Sequence, residues 1–243
     1  MQVVINDILI NYQVFGSSKS PAVVILHGWG RHGGDWTAFA KRLSIKYYVI
    51  LPDLPGHGGS SMVPFQPFDT YDYARIVEDF INKILPNKTT LIGHSFGGKI
   101  ATVVASESKK IEKLILVNAS GIDEKNRLTQ LQIFFYKRIK IFLRLLPKRV
   151  FDKIHNRIYK QAGSQVESFK RIVVQDVDHE AQKIKVQTII VWGDLDKEVT
   201  TYQAKRFREL ISGSILRIVW GTGHHPHLEK PDKFYAVMDE YLS

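Results

Sequence analysis

The stretch "TTLIGHSFGGKIA", Thr89 to Ala101, decides how this chain is read. Gly93, Gly98 and Lys99 fit G-x-x-x-x-G-K, the front of a phosphate-binding loop. Gly93, Ser95 and Gly97 fit G-x-S-x-G, the turn that presents a nucleophilic serine. Both motifs follow a strand and open a helix, so the local pattern does not separate them. The distinction rests on what the rest of the chain supplies.

A phosphate loop needs Ser or Thr directly after its lysine, because that hydroxyl ligates magnesium. Here Ile100 follows Lys99. It also needs an acidic residue at the end of another strand, and the apolar run 114–117 leads into "NASG", which has none. A serine hydroxyl, by contrast, needs a histidine to take its proton and a carboxylate to orient that histidine. On a strand–turn–helix elbow these partners follow in the order serine, acid, histidine. The run 188–192 leads into "GDLDKEV", with Asp194 and Asp196. The run 216–220 leads into "GTGHHPH", with His224, His225 and His227. Order and loop placement both agree. Gly93 and Gly97 fit as well, since a sharp turn leaves no room for side chains beside the serine. The stretch reads as a nucleophile turn.

Around it, apolar runs bounded by turn residues recur at 22–26, 47–51, 89–92, 114–117, 188–192 and 216–220. Most are rich in Val and Ile, as strands buried on both faces of a parallel sheet are. Helical patterns fall between them, at 71–85, 98–108 and 201–210. The N-terminal "MQVVINDILINYQVFG" alternates like two strands around an Asn-Asp turn. Strand and helix in alternation predict an α/β fold, a doubly wound, mostly parallel sheet. Residues 122–185 break the rhythm with helical patterns alone and are read as a small inserted helical cap. The core then comprises 1–121 and 186–243.

Five ordered motifs, "HGWG" at 27–30, "DLPGHGGS" at 53–60, "GHSFGG" at 93–98, "WGDLD" at 192–196 and "GTGHHPHLEKP" at 221–231, closely resemble the α/β-hydrolase family. The resemblance covers nearly all of the core and none of the cap. It implies Ser95 as nucleophile, His224 as general base and Asp196 as orienting acid, with Asp194 the alternative. It also implies an oxyanion hole made by the backbone N–H groups of Trp29 and Phe96. His27 is expected to hold that loop by hydrogen bonds, Asp53 and His57 to be structural, and His225 to lie at a pocket wall or the surface. His227 is read as structural, and His94 is set aside because the residue before the nucleophile points elsewhere in this fold. No metal is expected, since neither a carboxylate nor a cysteine sits at ligand spacing from the histidines.

The activity implied is a serine hydrolase cleaving carboxylic esters through an acyl-enzyme, with no cofactor. Dehalogenases and epoxide hydrolases of the fold use aspartate where Ser95 stands. Ester, lactone and carbon–carbon bond hydrolysis stay open, and so does a scaffold that binds without turnover. Composition is that of an ordinary soluble globular protein, 44% hydrophobic and 24% charged, without cysteine. No run is long and apolar enough to span a bilayer, nor does the N-terminus read as a signal peptide, so a cytoplasmic protein is expected. Residues 125–160 hold 11 Lys and Arg against one acid, Asp152, which accounts for the whole net charge of +10. On a helical pattern with Lys137, Lys140, Arg144 and Lys148 in a stripe, that charge is read as a solvated face, as a dock for an acidic acyl carrier protein, or as a weak membrane contact. Nucleic acid is not expected, because no recognition motif accompanies the charge.

Overall fold

The computed structural model describes residues 1–61, 67–122 and 165–242. The sequence-read basic stripe and most of the expected cap lie outside the described residues.

Among the described residues, the eight strands are β1 (Gln2–Ile5), β2 (Ile8–Phe15), β3 (Ala22–Leu26), β4 (Tyr48–Pro52), β5 (Thr89–His94), β6 (Ile111–Val117), β7 (Gln187–Gly193) and β8 (Ile215–Val219). They form one sheet in the order β1-β2-β4-β3-β5-β6-β7-β8. The first two pairings are antiparallel, and every pairing from β4 to β8 is parallel. The doubly wound sheet is therefore as the sequence implies. The helices are α1 (Thr37–Leu43), α2 (Thr70–Ile84), α3 (Phe96–Glu107), α4 (Gln165–Val174), α5 (Asp178–Lys183), α6 (Thr201–Leu210), α7 (Pro226–Glu229) and α8 (Pro231–Leu242).

Why both faces of the strands are apolar is visible residue by residue. Val24, Leu26, Leu91, Leu114, Leu116, Ile190 and Trp192 pack on one face, with Tyr73 and Phe80 of α2, Ile100 of α3 and Phe207 of α6. Their strand neighbours Val23, Ile25, Ile92, Ile115, Val117, Ile189 and Val191 pack on the other, with Phe39 of α1 and Phe234 and Met238 of α8. Successive side chains point to opposite faces, so a strand covered by helices on both sides must be apolar throughout. β8 lies at the sheet edge, and its first four residues are half-buried. The apolar run read as 216–220 accordingly shifts by one: Trp220 lies beyond the strand and is 68% exposed.

Local chemistry fixes the element ends. Asn6 and Asp7 both take positive φ (45° and 64°) at the hairpin between β1 and β2, a conformation that Asn and Asp tolerate. At the start of α2, Asp69 accepts from the Tyr71 and Asp72 amides, while the Asp72 side chain accepts from the Asp69 amide. That reciprocal cap satisfies three of the donors a helix start leaves open.

The strand order locates the site. From β3 the chain moves outward to β4, then crosses back to β5 on the opposite side of β3. Such a reversal opens a crevice at the carboxyl ends of the strands, where ligands bind in doubly wound sheets. The loops at that point begin at His27 after β3 and Ser95 after β5. Among the described residues, no helix is long and apolar enough to cross a membrane.

Candidate active site

Ser95 sits between β5 and α3 with φ 52° and ψ −117°, in a region that L-residues rarely occupy. The turn is held from both sides. Ser95 N–H donates to Val117 O, and Ser95 O accepts from the amides of Gly98, Lys99 and Ser120. A Cβ on Gly97 would lie 2.5 Å from Leu26 O, and one on Gly93 would lie 2.4 Å from Gly97 O. Both positions require glycine because backbone occupies the space a side chain would need. The expected lack of room for side chains at Gly93 and Gly97 is what the backbone shows.

Asp196 follows β7 and His224 follows β8. His224 Nδ1 lies 2.8 Å from Asp196 Oδ2, and the Asp196 carboxylate is fully buried. Burial alone would raise its pKa. The contacts from His224 and Asn118, with the Glu198 amide, outweigh burial and hold the carboxyl below the usual range. Its other oxygen, Oδ1, accepts from the Glu198 and Val199 amides. The alternative acid, Asp194, is occupied differently: its Oδ1 accepts from the Gly221 and Thr222 amides and shapes the turn after β8. The structure thus brings Asp196 to His224 and keeps Asp194 apart.

Ser95 and His224 are linked through their neighbours. His94 Nε2 bonds His224 O at 2.8 Å, and the two imidazoles are 4.9 Å apart. The ring of His94 therefore packs against the loop that carries His224. A Cβ on Gly28 would lie 3.2 Å from the Ser95 Cβ, so the loop after β3 runs directly against the serine. Within the described backbone network, neither Trp29 N–H nor Phe96 N–H donates a hydrogen bond.

That loop is rigid for identifiable reasons. Leu54 N–H donates to His27 Nε2, which leaves the proton on Nδ1 to donate to Gly28 O. Burial drives the His27 pKa down to about 4, so the ring stays neutral as that pattern needs. Asp53 accepts from the Gly33 and Gly59 amides and from Asn11 Nδ2. Burial opposes its charge, yet these three donors hold its carboxyl below the usual value. His57 packs edge-on to Trp29 at 4.9 Å. Trp29 also meets Phe96 and Phe169, each at 5.3 Å, and Tyr73 at 6.3 Å. Phe169 comes from α4, so the expected cap region contributes at least this ring beside the site.

Three contributors, Asn118, Glu229 and Glu198, were not singled out from the sequence. Asn118, with φ 42°, donates to Asp196 Oδ2 at 2.6 Å and to Gly223 O, and accepts from the Gly193 amide. Glu229 accepts from the amides of Gly223 and His225, the residues on either side of His224. Glu198 places a carboxylate oxygen 3.5 Å from His224 Nε2, with its side chain 68% exposed. Lys99, the residue that made the phosphate loop plausible, is buried and points away from it. Its Nζ donates to the carbonyls of Ile172 and Gln175, each at 2.7 Å, and burial lowers its pKa to about 8. A signal existed only for Asn118 and Glu229, which stand within "NASG" and "HLEKP". Their roles depend on backbone turns that sequence spacing does not encode.

A sequence profile of the alpha/beta hydrolase family matches residues 23–237. The chain is an α/β-hydrolase. This α/β-hydrolase is 26% identical to a monoacylglycerol lipase of Xenopus laevis, over 91% of this chain and 75% of the lipase. It is 23% identical to the pimeloyl-[acyl-carrier protein] methyl ester esterase of Nitrosospira multiformis, over 93% of this chain and 96% of that one. Among solved structures it is similar to an esterase from Exiguobacterium antarcticum, with a TM-score of 0.77 and 25% identity, covering 97% of this α/β-hydrolase and 96% of the esterase. Lipases and esterases among its relatives support a hydrolase.

Proposed function

We propose that the protein is a serine esterase that cleaves carboxylic esters of apolar acyl groups through an acyl-enzyme. The observation that carries this reading is the buried contact of His224 Nδ1 with Asp196 Oδ2, at the sheet end where Ser95 sits on a strained turn. His224 Nε2 takes the Ser95 proton as Oγ attacks the ester carbonyl carbon. The oxyanion that develops is held by the backbone N–H groups of Trp29 and Phe96, each such donor contributing about 10²–10³ in rate. Collapse expels the alcohol, which receives the proton from His224, and water then repeats the sequence to release the acid. Asp196 keeps the imidazole in the tautomer that this requires. No metal or cofactor is needed for any step.

The Trp29 and Phe169 rings, 5.3 Å apart next to the Gly28 backbone that runs against Ser95, support an apolar acyl group in preference to a polar one. Residues 122–185 form the cap in this reading. Lactones and carbon–carbon bonds beside a ketone are the runner-up substrates.

A second substrate form has its own support. The 11 basic residues within 125–160 suit an acidic acyl carrier protein, and one relative is an esterase whose name specifies such a substrate. Electrostatic docking raises association at low salt. A carrier-bound ester would then be cleaved with a steep salt dependence that a small neutral ester lacks, and equal salt response would remove this form.

The test of the main reading is hydrolysis of p-nitrophenyl esters from acetyl to long-chain acyl, with Ser95→Ala alongside. Turnover should fall by roughly 10⁶ in the variant, as for serine hydrolases generally. Turnover that survives in Ser95→Ala would exclude the acyl-enzyme route. Absence of turnover on every chain length would move the reading to lactones, or to a scaffold.

A further inference from the structure

His94, His225 and His227 each offer a ring nitrogen, and the three nitrogens all lie within 4.8 Å of one another. The histidines reach this point from two loops: His94 ends β5, while His225 precedes α7 and His227 lies within it. Sequence spacing shows only the pair 225 and 227. The fold supplies the third.

Two of the rings are fixed. His94 is held by the hydrogen bond that its Nε2 donates to His224 O, which leaves Nδ1 as the nitrogen able to bind a metal. His227 lies flat on Trp36, with ring centroids 3.8 Å apart and planes within 5°. Its Nδ1 is buried and has no hydrogen-bond partner among the described residues, an arrangement that ordinarily calls for an explanation. His225 is only half-buried and gives the cluster its route to solvent. Zn²⁺ with nitrogen bonds of about 2.0–2.1 Å holds tetrahedral ligands about 3.4 Å apart. Separations of up to 4.8 Å must shorten by up to about 1.4 Å to reach that spacing, and half-buried His225 is the ring with the most room to move.

We propose that His94, His225 and His227 form an inhibitory site for a borderline divalent transition metal such as Zn²⁺. Three imidazoles leave the fourth position to water, and imidazole suits zinc and copper over magnesium or calcium. The site is separate from the triad yet coupled to it. His225 is bonded in sequence to His224, and His94 both precedes Ser95 and holds the His224 carbonyl. A metal that draws these rings together displaces His224 from its working position. The inhibitory consequence rests on the esterase reading, whereas the metal binding does not.

The test is calorimetric titration of ZnCl₂ into the metal-stripped full chain, with His225→Ala, His227→Phe and His224→Ala in parallel. Phe at 227 preserves an aromatic ring against Trp36, and thermal melting of each variant checks its fold. The wild type should bind one Zn²⁺, and His224→Ala should still bind it. His225→Ala and His227→Phe should each bind more than about 100-fold weaker, beyond the roughly 10–100-fold that an outer partner of a metal site contributes. With p-nitrophenyl butyrate as substrate, Zn²⁺ should inhibit the wild type at the concentration that the titration gives, and His225→Ala should resist it. No stoichiometric binding by the wild type would overturn the proposal. So would unchanged binding by folded His225→Ala and His227→Phe, or binding lost on replacing His224 alone. Stoichiometric binding by a protein without esterase activity would support the metal site and count against the esterase reading.

Discussion

Asn118 Nδ2 donates to Asp196 Oδ2 at 2.6 Å, and that same oxygen faces His224 Nδ1. Asn118 follows β6, Asp196 follows β7 and His224 follows β8, so one amide ties together the loops after three neighbouring strands. In the proposed mechanism it makes Asn118 a positioning residue for the Asp196 carboxylate. Loss of a hydrogen bond to a charged group costs about 1.5–3 kcal/mol. Expressed in the transition state, that is roughly tenfold to a hundredfold in kcat. Asn118→Ala should show this loss on a p-nitrophenyl ester, and Asn118→Asp should lose more, because it sets two carboxylates side by side. Equal kcat for all three proteins would remove the role.

The backbone at Ser95 stores strain. Its φ of 52° and ψ of −117° suit glycine and disfavour any residue with a Cβ, at about 1–3 kcal/mol. Ser95→Gly should therefore be more stable than Ser95→Ala by about 1 kcal/mol in urea denaturation, although glycine elsewhere loses to alanine. An alanine variant as stable as the glycine variant would mean that the turn is unstrained.

Acid sensitivity should trace in part to Asp53. Its folded pKa lies below the ordinary value of 3.8, because three donors outweigh the effect of burial. The unfolded chain then binds more protons as pH falls toward and below that value, so the stability Asp53 contributes is present above it and is lost through the folded pKa. Asp53→Asn should be destabilised at pH 7 by about 1–3 kcal/mol. The gap from wild type should narrow as pH falls from 5 to 3. A gap independent of pH would assign the loss to packing alone.

Lys99 anchors the end of α4 to the helix that follows Ser95. Lys99→Met keeps the length of the side chain and removes both donors to Ile172 O and Gln175 O. The variant should unfold with about 1–3 kcal/mol less stability. Its Ser95 should remain reactive, because Lys99 points away from the site. Loss of reactivity in a folded Lys99→Met would bring the lysine back toward the chemistry.

The central strands could be read from sequence because burial on both faces leaves only apolar side chains between turn residues. Val23 and Val24 face opposite layers, and both are fully buried. The edge strand β8 was harder, since Ile215 to Ile218 are half-buried and an exposed Trp220 continues the apolar run. Ser95, Asp196 and His224 stood out because each follows a strand in a known order. The choice of Asp196 over Asp194 came from the resemblance, and only the hydrogen bonds give it a physical reason. Asn118 and Glu229 escaped notice because each works through a turn: a positive φ in one case, a short helix folding back on its own loop in the other. Lys99 is a related case. Its place in a motif says nothing about the direction its side chain takes, and burial against α4 carries it away from the loop.

The most direct measurement is reaction of the folded chain with a serine-reactive phosphonate, followed by mass spectrometry of the labelled peptide. A serine activated by His224 and flanked by the Trp29 and Phe96 amides should give one adduct, on Ser95. That adduct should be absent from Ser95→Ala and strongly slowed in His224→Ala. An unlabelled wild type, or an adduct on another residue, would contradict the account.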